Sequence, residues 1–299
     1  MSDTEQFETG FKKGRGMARR SLDLIEAMYA AAEAAQPITG RGIGYKLFTA
    51  GLIASMGTND MQRVYRLLKV AREQDHIPWE WIVDETRGVE RVSTWANPAE
   101  YAECVARSYR RDFWNQQPFR CEAWSEKGTV RGVLAPVLNH YAVGFNPVHG
   151  FNSATQVYNT AQDDSDQELI VLYVGDFDPS GMFMSEADLP KRLFEYGGGD
   201  HITIRRIALT PEQVTGLPSF PATDKRKDPR YKWFVANHGK RCWELDAMDP
   251  NDLRDCVEGA IRALIEPKAW ARCEVVNRAE QESLRHVLDS WNGSNGGAP

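Results

Sequence analysis

Apolar and polar residues are patterned in two different ways along the chain. As far as about residue 110, apolar residues recur every three or four positions, which predicts amphipathic helices. Ser21 is expected to cap the first helix and Pro37 to stop it. The strand-like run IPWEWIVDE follows the last helix, so this part predicts a helix-turn-helix with a wing. The three helices are predicted over residues 21–35, 40–53 and 59–75, the third with a cap at Thr58 or Asn59.

From about Arg111 onward, strand-like segments alternate with helical segments. Strands are predicted at RCEAWSE, ELIVLYVGD and HITIRRIAL, and helices at GTVRGVLAPVLNHY and SEADLPKRLFEY. Such alternation is typical of an α/β domain, in which helices cover a mostly parallel sheet. We therefore expect two domains, residues 1–110 and residues 111–299, the second ending in a helical extension.

Composition agrees with a folded protein of this size. The chain has 299 residues, 42% of them hydrophobic, which is enough for two cores. No apolar run approaches the roughly 18 residues of a membrane span, and the N-terminus lacks the apolar stretch of a secretory signal. A cytoplasmic protein without a membrane segment is expected. The five cysteines form no CxxC pair, which favours reduced thiols over a disulfide or zinc framework.

Charge is distributed unevenly. The net charge of −6 argues against a protein that binds nucleic acid with its whole surface. The first part of the chain is nevertheless basic, and double-stranded DNA is the partner that such a face would suit. For any single Lys or Arg, a solvated helix face is the more common explanation. The candidate DNA contacts are Arg41, Lys46, Arg63 and Arg66, among further basic residues at Lys12, Lys13, Arg15, Arg19, Arg20, Lys69 and Arg72.

Two acidic residues follow the apolar run of the strand predicted at ELIVLYVGD. In LYVGDFDPSGMF, Asp176 and Asp178 are separated by one residue, so an extended chain would turn both to the same side. Two carboxylates about 4 Å apart repel each other by roughly 4 kcal/mol at an effective dielectric of 20. A cation between them is therefore expected. A solvated turn with an Asp N-cap is the alternative for these two residues alone.

A third acid favours a bound cation over a solvated turn. Glu126 ends the strand predicted at RCEAWSE, and ligands of open α/β sheets bind beyond the carboxyl ends of the strands. Carboxylate ligands without clustered His or Cys suit Mg²⁺ or Mn²⁺ rather than Zn²⁺. Glu126, Asp176 and Asp178 are thus the predicted metal ligands. The adjacent Lys127 is interpreted as a solvated surface residue, with a phosphate contact as the alternative.

The order of these elements resembles a Toprim domain, the metal-binding fold of topoisomerases, primases and some nucleases. GDFDPSGMF is similar to the DxDPxG segment of the topoisomerase VI A subunit and of the related meiotic double-strand-break transesterase. Those proteins carry a CAP-like winged helix ahead of Toprim, as the pattern predicts here. HGFNSATQVY and CWELDAMDP resemble further segments of that family, and the short chain resembles its stand-alone Mini-A members.

The resemblance implies an activity and residues for it. The family's attacking tyrosine follows an arginine by four residues in the winged helix, a spacing matched by Arg41 and Tyr45. It implies metal-dependent DNA cleavage by Tyr45, with Arg41 favouring the phenolate or gripping the phosphate. Glu126 would ligate the metal or assist proton transfer. A homodimer and an ATPase B-type partner on another chain are also implied, as in a DNA topoisomerase of type IIB.

Two other functions stay open. The protein could be a Toprim endonuclease that uses water in place of Tyr45, or a DNA-binding module that does not cleave. Tyr65, Trp79 and Trp81 are interpreted as packing residues rather than as a second nucleophile or base-stacking groups. The segment with Asp84, Glu85 and Arg87 resembles a DxTR segment of bacterial relatives, and Glu244 and Asp246 are interpreted as structural acids.

Overall fold

The structure is a computed structural model that describes residues 19–83, 92–148 and 154–295, with side chains as far as Trp291. The chain forms two compact units, Met1–Ile82 and Val83–Pro299. The sequence pattern placed the division near residue 110 instead. The helix at 98–108 belongs with the second unit because it packs on the C-terminal helix. Lys12, Lys13, Arg15, Asp84, Glu85 and Arg87 lie outside the described residues.

The first unit is helical, as its apolar spacing predicts. Strands β1 (Ile38–Thr39) and β2 (Ile82–Val83) form a two-stranded sheet. The first helix begins two residues before Ser21, so Ser21 does not cap it, and the third begins at Thr58 with Gly57 in the cap position. Helices α1, α2 and α3 span Arg19–Ala35, Gly40–Thr49 and Thr58–Glu73.

Helix α2 forms despite three glycines because its glycines allow close packing. A Cβ at Gly44 would lie 2.5 Å from the sulfur of Met61 on α3, and one at Gly40 would lie 3.1 Å from the Tyr65 ring. The hydroxyl of Thr39 caps the helix by accepting the amide of Gly42 at 2.8 Å. The buried face of α2 consists of Gly42, Ile43, Gly44, Tyr45 and Leu47.

The second unit is built around a parallel sheet of four strands in the order β4–β3–β5–β6. Strand β5 is central and buried along almost its whole length, as expected for a strand covered on both faces. Its side chains alternate between two cores: Ile170, Leu172 and Val174 belong to one, and Leu169, Val171 and Tyr173 to the other. Strands β3 to β6 span Phe119–Ser125, Gly144–Pro147, Glu168–Val174 and Ile202–Ala208.

Helices connect these strands and extend beyond them. The chain between β5 and β6 is helical from Pro179, with π-helical turns at Met184–Asp188 and Phe194–Gly198 between and after α7 and α8. Short strands β7 (Phe220–Pro221) and β8 (Arg241–Cys242) pair antiparallel. Helices α4 to α11 span Pro98–Ser108, Val130–Tyr141, Ala154–Ala161, Pro179–Phe183, Leu189–Leu193, Tyr231–His238, Pro250–Arg262 and Pro267–Asn295.

The predicted α/β class with a mostly parallel sheet is confirmed. The assignments to a CAP-like winged helix and a Toprim domain stay predictions. Across residues 19–83, 92–148 and 154–295, no helix is long and apolar enough to cross a membrane.

Candidate functional site

The chain stays extended beyond the end of β5. The amide of Gly175 donates to Ala208 at 2.7 Å, and Phe177 exchanges backbone hydrogen bonds with Trp243 at 2.9 and 3.0 Å. Phe177 therefore lies in a strand-like bridge, with Asp176 before it and Asp178 after it. This is the extended geometry under which both aspartates were expected to share one side.

Asp178 begins the next helix and is nevertheless buried. Its Oδ1 accepts the amide of Gly181 at 2.8 Å, as an N-cap does, while its Oδ2 lies 3.0 Å from the ammonium of Lys225. Only 3% of the residue is exposed, so the cap of the alternative interpretation is present but the solvated turn is not. Glycine is required at 181 because a Cβ there would lie 2.4 Å from the carbonyl oxygen of Asp176.

Asp176 is held from two directions. Its Oδ1 accepts the amide of Leu245 at 2.7 Å and lies 2.8 Å from the Lys127 ammonium. The same ammonium lies 2.9 Å from Oδ2 of Asp246. Burial raises the pKa of Asp176, although Lys127 and the Leu245 amide act in the opposite direction. Burial also opposes the charge of Lys127, yet the two carboxylates outweigh it and raise the pKa of the ammonium.

Lys127 is thus not the solvated residue that the sequence suggested, because its ammonium bridges two acids. The structural interpretation of Asp246 agrees with this ion pair.

Glu126 reaches the same loop from the end of β3. A Cβ at Gly181 would lie 3.3 Å from Oε1 of Glu126, so this carboxylate contacts the turn that follows Asp178. Burial, followed by the charges of Asp176 and Asp178, raises the pKa of Glu126 to about 7. The charges of Asp176 and Asp178, at the end of the neighbouring parallel strand, therefore influence Glu126, while the role of the three acids as metal ligands stays a prediction.

Arg206 donates hydrogen bonds to the loop that carries the two aspartates, and Tyr173 lies beside this loop. Arg206 of β6 donates to the carbonyls of Gly175 at 3.0 Å and Gly181 at 2.9 Å, and also to that of Asp176. Its guanidinium carbon lies 5.4 Å from the centre of the Tyr173 ring. Tyr173 is fully buried, and its hydroxyl has no hydrogen-bond partner among the described residues. Burial, and then the charge of Glu126, raises the pKa of this hydroxyl.

The carboxyl groups of this site are of the type that binds a divalent cation, but at present those of the two aspartates contact ammonium groups instead. Their carboxylate oxygens are the ligands that Mg²⁺ and Mn²⁺ prefer, and the unpaired Tyr173 hydroxyl is a buried polar atom close to them. Within the described parts of the chain, however, no three His, Cys, Asp or Glu side chains are arranged to hold a metal ion. The ammonium groups of Lys127 and Lys225 contact the carboxylates instead.

In the first unit, the predicted nucleophile is buried. Tyr45 is 6% exposed, and the guanidinium of Arg41 lies 5.9 Å from the centre of its ring. Tyr65 is 44% exposed, and Trp79 is exposed as well, so the packing interpretation is wrong for Trp79 and only partly right for Tyr65, whose ring contacts Gly40. Of the candidate DNA contacts, Arg66 is exposed, whereas Arg41, Lys46 and Arg63 are half-buried.

Three residues of the site were missed from the sequence. Lys225 begins the basic run KRKDPRYK, a signal that was available but lies far from the acids in the chain. Arg206 is a charged residue inside a predicted strand, and Tyr173 is a polar hydroxyl inside an apolar run. A charged residue in a strand indicates a buried polar partner, which Arg206 has, whereas the Tyr173 hydroxyl has none among the described residues.

Comparisons with known proteins add no family. No family model matches the chain, and neither a curated protein nor a solved structure matches it.

Proposed function

We propose that this protein cleaves phosphodiester bonds of DNA with Mg²⁺ or Mn²⁺ bound by Glu126, Asp176 and Asp178. The observation that carries the proposal is the concentration of these acids at the carboxyl ends of β3 and β5. Such a position is where open α/β sheets bind ligands. Lys127 and Lys225 already contact the two aspartates, so charge neutralisation alone does not argue for an ion. The third carboxyl group supports the proposal, because burial and the charges of Asp176 and Asp178 raise the pKa of Glu126 to about 7.

The residues of the chain have separate tasks in this proposal. Backbone amides of Leu245 and Gly181 orient Asp176 and Asp178, so that the two carboxylates are positioned before a ligand arrives. Glu126, with its pKa raised to about 7, exchanges a proton readily near neutral pH and suits either a ligand or a general base. A bound divalent ion would stabilise the charge that develops on phosphate oxygens.

Tyr45 is the nucleophile that the resemblance implies, with Arg41 beside its ring. Its burial is a specific observation in favour of a second candidate, a Toprim endonuclease in which water attacks the phosphate. Attack by Tyr45 requires the hydroxyl to become accessible when DNA binds, whereas attack by water does not.

The partners proposed with this activity also follow from the resemblance. Double-stranded DNA would contact Arg41, Lys46, Arg63 and Arg66. A homodimer would cut both strands, and an ATPase B-type partner would be required for strand passage.

The test is cleavage of supercoiled plasmid by the full chain with Mn²⁺ or Mg²⁺, followed by electrophoresis with and without protease treatment. We expect the wild type to cut DNA and to leave protein on the cut end. Asp176→Asn should not cut. Asp163→Asn is the matched control because it makes the same change at a surface ion pair with Arg120.

Tyr45→Phe distinguishes the two nucleophiles. Loss of both cleavage and protein-linked ends in Tyr45→Phe supports transesterification. Unchanged cleavage in this variant, with Asp176→Asn inactive, identifies water as the nucleophile. If the wild type cuts with neither ion, the proposal is wrong and a non-cleaving DNA-binding module takes its place.

A further inference from the structure

Two lysines from distant parts of the chain contact the two aspartates of the proposed ion site. Lys127 follows β3, and its ammonium lies 2.8 Å from Oδ1 of Asp176. Lys225 ends a short helix, Ala222–Lys225, and its ammonium lies 3.0 Å from Oδ2 of Asp178. The acids that would bind an ion are therefore neutralised by the chain itself.

These contacts compete with an ion for the same oxygens. Oδ1 of Asp176 accepts from both Leu245 and Lys127 and so has no lone pair left for a metal, while the charge of the ammonium 2.8 Å from Oδ1 also opposes a cation at Oδ2. On Asp178, the Gly181 amide donates to Oδ1 and the Lys225 ammonium lies 3.0 Å from Oδ2, so Lys225 competes with an ion for Oδ2. An ammonium at bonding distance from a carboxylate also repels a doubly charged cation that approaches it.

Both lysines can release their aspartates without leaving a buried, unpaired ammonium. The side chain of Lys225 is 43% exposed, and the exposed Arg226 and Lys227 follow it in the chain. Lys127 keeps a second acidic partner, Asp246, whose Oδ2 lies 2.9 Å from the ammonium, so it can release Asp176 and stay anchored. Lysine is suited to such exchange because its ammonium is a compact charge on a flexible stem.

We propose that Lys127 and Lys225 are exchangeable cations: each neutralises an aspartate until a divalent ion binds, then releases it and contacts a phosphate of the DNA. This inference rests on the proposed function, since it takes Asp176 and Asp178 as ion ligands. It makes both lysines substrate-positioning residues whose position depends on the ion.

The first test is the affinity of the full-length protein for Mn²⁺ alone, measured by calorimetry. If the site is free of lysine in only a tenth of the molecules, removing the competing ammonium should tighten binding about tenfold. We expect this for Lys225→Met and for Lys127→Met. Lys191→Met is the control, because it removes the same charge from an exposed pair with Glu195. Circular dichroism checks that each variant is folded, and the more exposed Lys225 supplies the result if Lys127→Met unfolds.

The second test detects the movement itself. Lysine acetylation is followed by mass spectrometry with and without Mn²⁺. The ion should accelerate acetylation of Lys225 severalfold, that of Lys127 to a smaller extent because Asp246 still binds its ammonium, and leave that of Lys191 unchanged. In the double variant Asp176→Asn and Asp178→Asn, which lacks the proposed ligands, Mn²⁺ should have no effect on acetylation of either lysine.

The third test concerns the phosphate contact. Binding of a fluorescent DNA duplex is measured by anisotropy, and Lys225→Met should weaken it in Mn²⁺ but not in chelator. A fixed structural ion pair would give no such dependence on the ion.

The outcomes separate this inference from the proposed function. If Mn²⁺ binds the wild type but neither lysine variant binds it more tightly and acetylation does not change, the lysines are fixed partners and the inference is wrong, while the ion site stands. If the wild type does not bind Mn²⁺, the ion site and the inference fail together.

Discussion

The two units bury different kinds of polar side chain. In the first unit, the polar side chains buried among the described residues are Thr39 and Arg72. Thr39 caps a helix three residues away, and Arg72 donates to the carbonyl of Trp79 seven residues away. The second unit also buries Asp176 and Asp178, which bind Lys127, Leu245 and Lys225 from distant parts of the chain. The contacts given for Thr39 and Arg72 are local, whereas those of Asp176 and Asp178 with the two lysines and Leu245 are long-range.

This difference distinguishes packing from function. A local contact ends a helix or holds a turn, and it stabilises the fold where it is made. A long-range cluster of acids and lysines has no such local task, and a well-packed apolar cluster would often be as stable or more stable. Such a cost is the pattern expected at the proposed ion site.

The largest loss of stability is expected from substitution of Gly181, which lets the loop with the two aspartates pass close to its own backbone. A Cβ at 181 would meet backbone, the carbonyl of Asp176, which cannot move aside, whereas one at Gly44 would meet the flexible end of Met61. Gly181→Ala should lower the free energy of unfolding by about 3 kcal/mol, and Gly44→Ala by less than about 1 kcal/mol. Denaturant unfolding measures both, and Gly259→Ala, where nothing lies within 4 Å of the added Cβ, is the control. Equal losses at Gly181 and Gly44 would contradict the comparison.

The second largest effect on stability depends on pH and comes from the ionisation of Glu126. Because the pKa of Glu126 is raised from 4.5 to about 7 in the folded state, folding favours its protonated form. Below the pKa of 4.5 that Glu126 has in the unfolded chain, its ionisation does not lower the free energy of unfolding. The loss grows as the pH rises from 4.5 to about 7 and is complete above about 7. Glu126→Gln should therefore stabilise the metal-free protein by roughly 1–3 kcal/mol at pH 8 and have little effect at pH 4.5. Thermal unfolding at both pH values measures this, and a gain independent of pH would contradict the cause given.

Regular patterns were predictable from the sequence. The apolar spacing of the first helices and the buried run of β5 indicated the right elements because periodicity depends only on which face is buried. The acids at strand ends were identifiable for the same reason, since parallel strands bring their carboxyl ends to one edge.

Features that depend on tertiary contact were not predictable. The bridge from Lys127 to Asp176 joins residues 49 positions apart, and no local pattern shows that the lysine turns inward. Tyr45 lies on the buried face of α2, and the close approach of Met61 on α3 to the neighbouring Gly44 is a tertiary contact that no local pattern shows. Trp79 was expected in a strand core, but the chain forms a short 3-10 helix at Trp79–Trp81 and leaves the indole exposed.

A smaller effect is expected for the buried polar group that caps α2. Thr39→Ala removes the acceptor for the Gly42 amide and should lower the free energy of unfolding by about 1 kcal/mol. Because neither group ionises, the loss should be the same at pH 5 and pH 8, and Mn²⁺ affinity should not change. Chemical unfolding and calorimetry measure the two quantities. A loss that varied with pH would remove the distinction between the local and the long-range polar groups.

The smallest effect on stability, close to zero, is expected at the exposed basic surface of the first unit. Arg66 is exposed on α3, so Arg66→Gln should leave the midpoint of unfolding unchanged. If this face binds DNA, the variant should weaken binding to duplexes of any sequence. It should also reduce the slope of log affinity against log salt by about 1, because one phosphate contact is lost. Anisotropy titrations between about 50 and 200 mM salt give this slope.

The control for Arg66 is Lys191→Gln, which removes a positive charge from an exposed residue of the second unit. It should leave the salt slope within error of the wild type, since its charge is not part of the basic face. If Arg66→Gln and Lys191→Gln change the slope equally, DNA senses only the net charge of the protein, and the basic residues of the first unit are a solvated helix face.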